Sequence, residues 1–191
     1  DGVFSMEGDL ADLKGITELA KQYDAVVMSD CAHAIGVIGE HGAGAASHFD
    51  IEDQVDLIGG TFSKSLASIG GFIASDTATI KYIKHNSRSL IFSASPTPAA
   101  VAAALASLDI IESDDSLRME LLRNTQFAIS KFKSLGFDVG NTETPIIPLY
   151  IRNDKKTHEL AMLLLRRGIF VNSIAAPAVS RNNSMIRFSL M

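Results

Sequence analysis

"VDLIGGTFSKSLASIGGFIAS", residues 55–75, sets two short apolar runs on either side of a loop of small residues that contains one lysine, Lys64. Short apolar runs bounded by glycine are strand signals, and runs without polar alternation suit a sheet covered on both faces. The same signal appears upstream in "DAVVMSD", residues 24–30. Helical spacing precedes and follows these runs. Residues 10–23 place Leu10, Leu13, Leu19 and Ala20 on one face, with Asp9 as the expected N-cap. "TATIKYIKHNS", residues 77–87, and the alanine-rich "PAAVAAALASLDII", residues 98–111, predict two more helices. Strands alternating with helices indicate an α/β fold with a mostly parallel sheet.

The pattern changes after about Ile111. Residues 114–136 predict a long amphipathic helix with Leu117, Leu121, Ala128, Phe132 and Leu135 on one stripe and Gly136 as its stop. "TPIIPLYI" (144–151), "IFVN" (169–172) and "MIRFSLM" (185–191) predict strands, and "KKTHELAMLLLRRG" (155–168) a helix. This second pattern suits a smaller α+β unit. The expected boundary lies near residue 110, giving domains over 1–110 and 111–191.

Composition narrows the function. The chain has 191 residues, 47% of them hydrophobic, which is enough apolar material for an ordinary globular protein. Its formal net charge is −5, with both signs interspersed, which argues against nucleic acid or an anionic membrane as the main partner. Cys31 is the single cysteine, so no internal disulfide can form, and a reducing, cytoplasmic setting is expected. No run reaches the ~18 apolar residues of a membrane span. The chain opens on Asp1 and closes on a strand-like run. A fragment of a longer chain is therefore expected, inactive when isolated.

Several short constellations could carry chemistry. In "VVMSDCAH", residues 26–33, Asp30 ends an apolar strand, where α/β sheets gather ligands, and His33 follows three residues later. The other reading is a strand-end carboxylate capping the next turn beside a surface histidine. Asp-x-Ala-His also resembles a motif of DEAH-type helicases, but that motif needs Glu where Cys31 stands, and no G-x-x-x-x-G-K-[ST] accompanies it. Thr61 and Ser63 bring two hydroxyls beside Lys64, flanked by glycines that free backbone N–H groups for a phosphate. A lysine among small, apolar neighbours is poorly hydrated, which favours nucleophilic amine chemistry. "GEHGAGAAS", residues 39–47, has glycines but no strand feeding it, so it reads as a loop rather than a dinucleotide site. Arg187 sits in an otherwise mostly apolar strand, either facing solvent or offering its fork to a carboxylate.

Taken together and in order, "VFSMEGD", "SDCAH", "GTFSKSLASIGGF", "SLIFSASPTP", "GIFVN", "APAVS" and "IRFSL" resemble the α-oxoamine synthases along essentially the whole chain. The resemblance implies part of a fold-type I pyridoxal-phosphate-dependent transferase. On that basis residues 1–110 would be the later part of the large cofactor domain, and 111–191 part of the small C-terminal domain. It also implies a decarboxylating condensation of an amino acid with an acyl-coenzyme A in a homodimer. "GTFSKSLASIGGF", "RSLIFSAS" and the closing "APAVS…IRFSLM" are most similar to members that join L-serine to palmitoyl-coenzyme A; members using glycine or alanine are the alternative.

Carried over by motif, Lys64 would hold the aldehyde of pyridoxal 5'-phosphate covalently, and Asp30 would pair with its ring nitrogen. His33 and Ser5 would lie near its phenolic oxygen. Thr61 and Ser63 would hold its phosphate, and Ser93 would reach the phosphate of the neighbouring subunit. Arg187 would grip the substrate carboxylate. Cys31 stands where the family usually has an acidic residue, and Ala34 where it often has Ser. The family's ring-stacking histidine and N-terminal phosphate loop would precede residue 1. A non-catalytic scaffold subunit would be expected to lack the lysine, which is present here.

Overall fold

A computed structural model describes residues 1–191. The chain divides into two units, Asp1–Val3 with Ala11–Asp115, and Phe4–Leu10 with Ser116–Met191.

In the first unit, helix α1 spans Leu13–Gln22 and buries Leu13 and Thr17. Its N-cap is Asp12, whose carboxylate accepts from the Gly15 N–H at 3.0 Å. The cap is therefore three residues later than the spacing predicts. Asp9 instead lies in the Phe4–Leu10 turn, where its carbonyl accepts from the Phe4 N–H at 2.9 Å. Strand β1, Met28–Asp30, pairs in parallel with β2, Leu57–Thr61, which follows the four-residue helix α2, Ala45–His48. The register sets Asp30 beside Gly59. Asp56 fixes the entry to this pair, its carboxylate accepting from the Val27 N–H at 2.7 Å. Strand β3, Gly71–Ala74, adds to β2 in antiparallel fashion, giving the order β1-β2-β3. Between β1 and β2 the chain makes the crossover that parallel pairing requires, burying Cys31, Ala34, Ile38, Ala45, Ala46 and Ile51.

Three helices complete this unit. Asp76 caps α3, Thr77–Asn86; α4 is the single turn Arg88–Ile91; Thr97 caps α5, Pro98–Ser113, with proline at the first turn where its missing N–H costs nothing. Helix α5 passes through residue 110 without a break, and the division between units falls after Asp115.

The second unit starts its main run with α6, Ser116–Ser134. Gly136 follows at φ +84°, the left-handed position that ends many helices. Strand β4, Ile146–Tyr150, helix α7, Asp154–Arg166, strand β5, Asn172–Ile174, and strand β6, Met185–Ser189, follow in order. The sheet order is β4-β6-β5 and both pairings are antiparallel. Val139, Ile147, Leu149 and Ile186 form the core, covered by Ala128, Ile129 and Phe132 of α6 and by Leu160 and Ala161 of α7. Phe132 meets Phe188 edge-on at 5.4 Å, a favoured aromatic geometry.

The buried face of α6 differs from the predicted stripe. Leu117 and Leu135 are 66% and 71% exposed, whereas Thr125 is fully buried. The Thr125 hydroxyl donates to the Leu121 carbonyl at 2.8 Å, which satisfies it within the helix and lets a polar residue occupy a core position. Strand β5 likewise starts at Asn172, and Phe170, expected within it, is exposed.

A backbone clasp holds Phe4–Leu10 within this unit. The Gly8 carbonyl accepts from Thr144 Oγ1 at 2.9 Å and from Thr142 Oγ1 at 3.2 Å. Gly8 has φ +74°, and a Cβ there would lie 2.1 Å from the Ile146 carbonyl oxygen. Gly8→Ala in the full-length protein is expected to cost about 2–5 kcal/mol, from left-handed strain plus forced overpacking. Gly136 has φ +84°, but a Cβ there would meet nothing within 4 Å, so Gly136→Ala should cost only the strain, about 1–2 kcal/mol. Urea unfolding of the two variants checks this; equal losses would contradict it.

Candidate active site

Because β1 and β2 are parallel, their carboxyl ends lie on one side of the sheet, and Asp30 and Thr61 end the two strands there. The Cys31 N–H donates to the Gly59 carbonyl at 2.7 Å, extending the ladder by one bond as β1 ends. Asp30 Oδ1 accepts from the Ala32 N–H at 2.8 Å, an Asx-type turn that sends the chain on to half-buried His33. The capping reading of Asp30 therefore holds, and it is compatible with a ligand role because the residue is exposed.

The run from Thr61 to Gly70 is a closed loop rather than a slack one. The Phe62 N–H donates to the Gly70 carbonyl at 2.9 Å, the Ser68 N–H to the Phe62 carbonyl at 2.7 Å, and the Ala67 N–H to the Lys64 carbonyl at 2.9 Å. Leu66 is buried beneath it, and Ser68 Oγ donates to the Ala100 carbonyl of α5 at 2.6 Å. These bonds explain the small residues. A Cβ on Gly71 would come within 2.6 Å of the Gly60 carbonyl oxygen, and one on Gly36 within 2.7 Å of Ser65 Cβ. The turn after His33 is thereby packed against the residue next to Lys64.

Thr61 Oγ1 and Ser63 Oγ lie 2.8 Å apart, and Thr61 Oγ1 also donates to the Gly70 carbonyl at 3.1 Å. Lys64 follows with its side chain exposed. The loop fixes the Lys64 backbone while leaving the amine free to reach a ligand. Asp30 and Thr61 end the two paired strands, and His33, Ser63 and Lys64 lie in the turns that follow them. The donor set, two hydroxyls, an amine, an imidazole and a carboxylate, suits a phosphorylated, nitrogen-containing ring with an electrophilic carbon. No group of three or more His, Cys, Asp or Glu is placed to hold a metal.

The glycine-rich run at 39–47 has a packing role. The Gly36 N–H donates to the Gly42 carbonyl at 2.8 Å and the Gly44 N–H to the Ile38 carbonyl at 2.9 Å, folding the segment into tight turns. Ser93 lies just after α4, and its hydroxyl turns back to the Ser89 carbonyl. The neighbouring Leu90, Ile91 and Phe92 are exposed.

Ser5 and Arg187 belong to the second unit. Arg187 lies on β6, the central strand, between Pro148 and Asn172. Its Nε donates to the Ser5 carbonyl at 2.7 Å and its Nη1 to Ser189 Oγ at 2.8 Å. Partial burial draws the guanidinium pKa down, but arginine stays charged at any physiological pH. Sequence reasoning missed Ser189, although period-two alternation on a strand puts it on the same face as Arg187.

A family model described as aminotransferase class I and II matches residues 1–191. The chain is 53% identical over 191 residues to serine palmitoyltransferase of Sphingobacterium spiritivorum, covering 100% of this chain and 48% of the relative. It is 48% identical over 187 residues to 8-amino-7-oxononanoate synthase of Petrotoga mobilis, covering 98% of this chain and 48% of that one. Among solved structures, a serine palmitoyltransferase variant from S. paucimobilis with a bound PLP–myriocin aldimine is similar with a TM-score of 0.94 at 31% identity, covering 99% of this chain and 48% of the other. The chain spans about half the length of the relatives it matches.

Proposed function

The chain belongs to the aminotransferase class I and II family, and from that premise we propose that it carries pyridoxal-phosphate-dependent condensation of L-serine with a long-chain acyl-coenzyme A. The product would be a 3-keto long-chain base, with carbon dioxide and free coenzyme A released. The observation that carries the proposal is the closed Thr61–Gly70 loop, which presents Lys64 beside a hydroxyl pair at the end of a parallel strand pair. The serine palmitoyltransferase relatives support serine as the amino acid.

When bound, the cofactor supplies an electron sink for the charge left after proton removal from the amino-acid Cα. The chain's residues do the rest. Lys64 Nζ would hold the cofactor covalently and would be the amine that takes the Cα proton. The Asp30 carboxylate keeps a proton on the ring nitrogen by opposite charge. Thr61 and Ser63 would hold the phosphate once their hydroxyl protons turn to it from the Gly70 carbonyl and from each other, and His33 and Ser5 would lie near the phenolic edge. Arg187 binds the carboxylate of serine through its remaining N–H groups. Ser93, beside exposed Leu90, Ile91 and Phe92, would reach the phosphate held by a second copy in a homodimer. No helix is long and apolar enough to cross a membrane, and a cytoplasmic location fits the single buried cysteine.

The 8-amino-7-oxononanoate synthase relatives favour one other reading, a different amino acid and acyl group in the same reaction class. Titrating the full-length protein with serine, glycine and alanine, while following cofactor absorbance, separates the two. Serine is expected to shift the spectrum at the lowest concentration; preference for alanine or glycine would replace this proposal with the second one. Arg187→Leu should weaken serine binding by about 1.5–3 kcal/mol, the value of a hydrogen bond to a charged group, and leave cofactor binding nearly unchanged. Unchanged serine affinity would return Arg187 to a structural role.

A further inference from the structure

The guanidinium of Arg187 has five N–H bonds, and two are already engaged inside its own unit. Nε donates to a backbone carbonyl, that of Ser5, at 2.7 Å. This acceptor is itself fixed. Phe4 and Gly8 close the local turn, with the Phe4 N–H on the Asp9 carbonyl and the Gly8 N–H on the Phe4 carbonyl, both at 2.9 Å. Thr142 and Thr144 then clamp the Gly8 carbonyl to the residues leading into β4. The second bond, from Nη1 to Ser189 Oγ at 2.8 Å, reaches the residue two positions along the same strand. One N–H on Nη1 and both on Nη2 remain.

These contacts restrict how a carboxylate can approach. A guanidinium pairs with a carboxylate either along its Nε edge or at its Nη end. The Nε edge is taken by Ser5. Taking the assignment of Arg187 to the amino-acid carboxylate from the function proposed above, we infer that Ser189 and the Ser5 carbonyl are positioning groups that turn the arginine so that it receives the carboxylate at its Nη end. Ser5 anchors the Nε edge, and Ser189 stops rotation about that anchor. Ser189 touches neither cofactor nor substrate in this role. Its hydroxyl orders an arginine that would otherwise lose side-chain entropy on binding.

The test uses the full-length holoenzyme and three proteins: the unsubstituted enzyme, Ser189→Ala and Ser189→Thr. Serine affinity is read from the change in cofactor absorbance, and 2-aminoethanol, which keeps the amine and hydroxyl but has no carboxylate, is titrated alongside. Ser189→Ala is expected to weaken serine by roughly 3–10-fold, about one modest hydrogen bond. Its 2-aminoethanol affinity should not move, KM for serine should rise more than kcat falls, and Ser189→Thr should restore serine binding. Unchanged serine affinity in Ser189→Ala would overturn the inference, as would an equal loss for 2-aminoethanol, which marks a structural effect. Failure of the unsubstituted holoenzyme to respond to any amino acid would instead overturn the proposed function, and this inference with it.

Discussion

Lys64→Ala in the full-length protein is expected to leave the fold intact and remove turnover. The loop does not depend on the lysine side chain, since the bonds that close it run between backbone groups, including the Lys64 carbonyl itself. The melting temperature should therefore change little. Chemistry should suffer twice. The covalent anchor is lost, and so is the amine that takes the Cα proton, a role worth roughly 10²–10⁴-fold by itself. Lys64→Arg keeps the positive charge without an amine that can form the link, so it should fail similarly. Turnover within tenfold of the unsubstituted enzyme in either variant would remove Lys64 from the mechanism.

Asp30→Asn is expected to fail in a different manner. Asparagine retains an Oδ1 that can accept from the Ala32 N–H, so the turn at the end of β1 should survive. The covalent link to Lys64 should survive too. Lost is the negative charge that favours a protonated ring nitrogen. Removing one preorganised electrostatic partner typically costs about 10²–10³-fold in rate. Steady-state kinetics, with isotope exchange at the Cα of serine as a second readout, should show a loss of that order while cofactor content stays near normal. A rate within a few-fold of normal would leave Asp30 with its turn-capping role alone.

The β2–β3 hairpin and its loop were legible in the sequence because both are local. Apolar runs bounded by glycine marked β2 and β3, and the loop that joins them is closed by backbone bonds made within its own length. Local pattern failed where a polar group is satisfied in an unexpected place. Thr125 passes for a surface residue until its hydroxyl is seen bonded to Leu121. Asp9 looks like a cap until the Asp12 carboxylate is seen accepting from the Gly15 N–H. The environment of Arg187 was beyond any local reading, since Ser5 lies 182 positions away in the chain.

The most direct test of the central claim is to find which lysine carries the cofactor. The full-length holoenzyme is reduced with borohydride, digested with trypsin and mapped by mass spectrometry. Modified Lys64 should resist cleavage, so the cofactor mass should appear on a peptide running from Gln22 to Lys81, with fragmentation placing it at Lys64 within "GTFSKSLAS". Cofactor mass on Lys81, Lys84 or any other lysine, with Lys64 cleaved normally, would contradict the assignment.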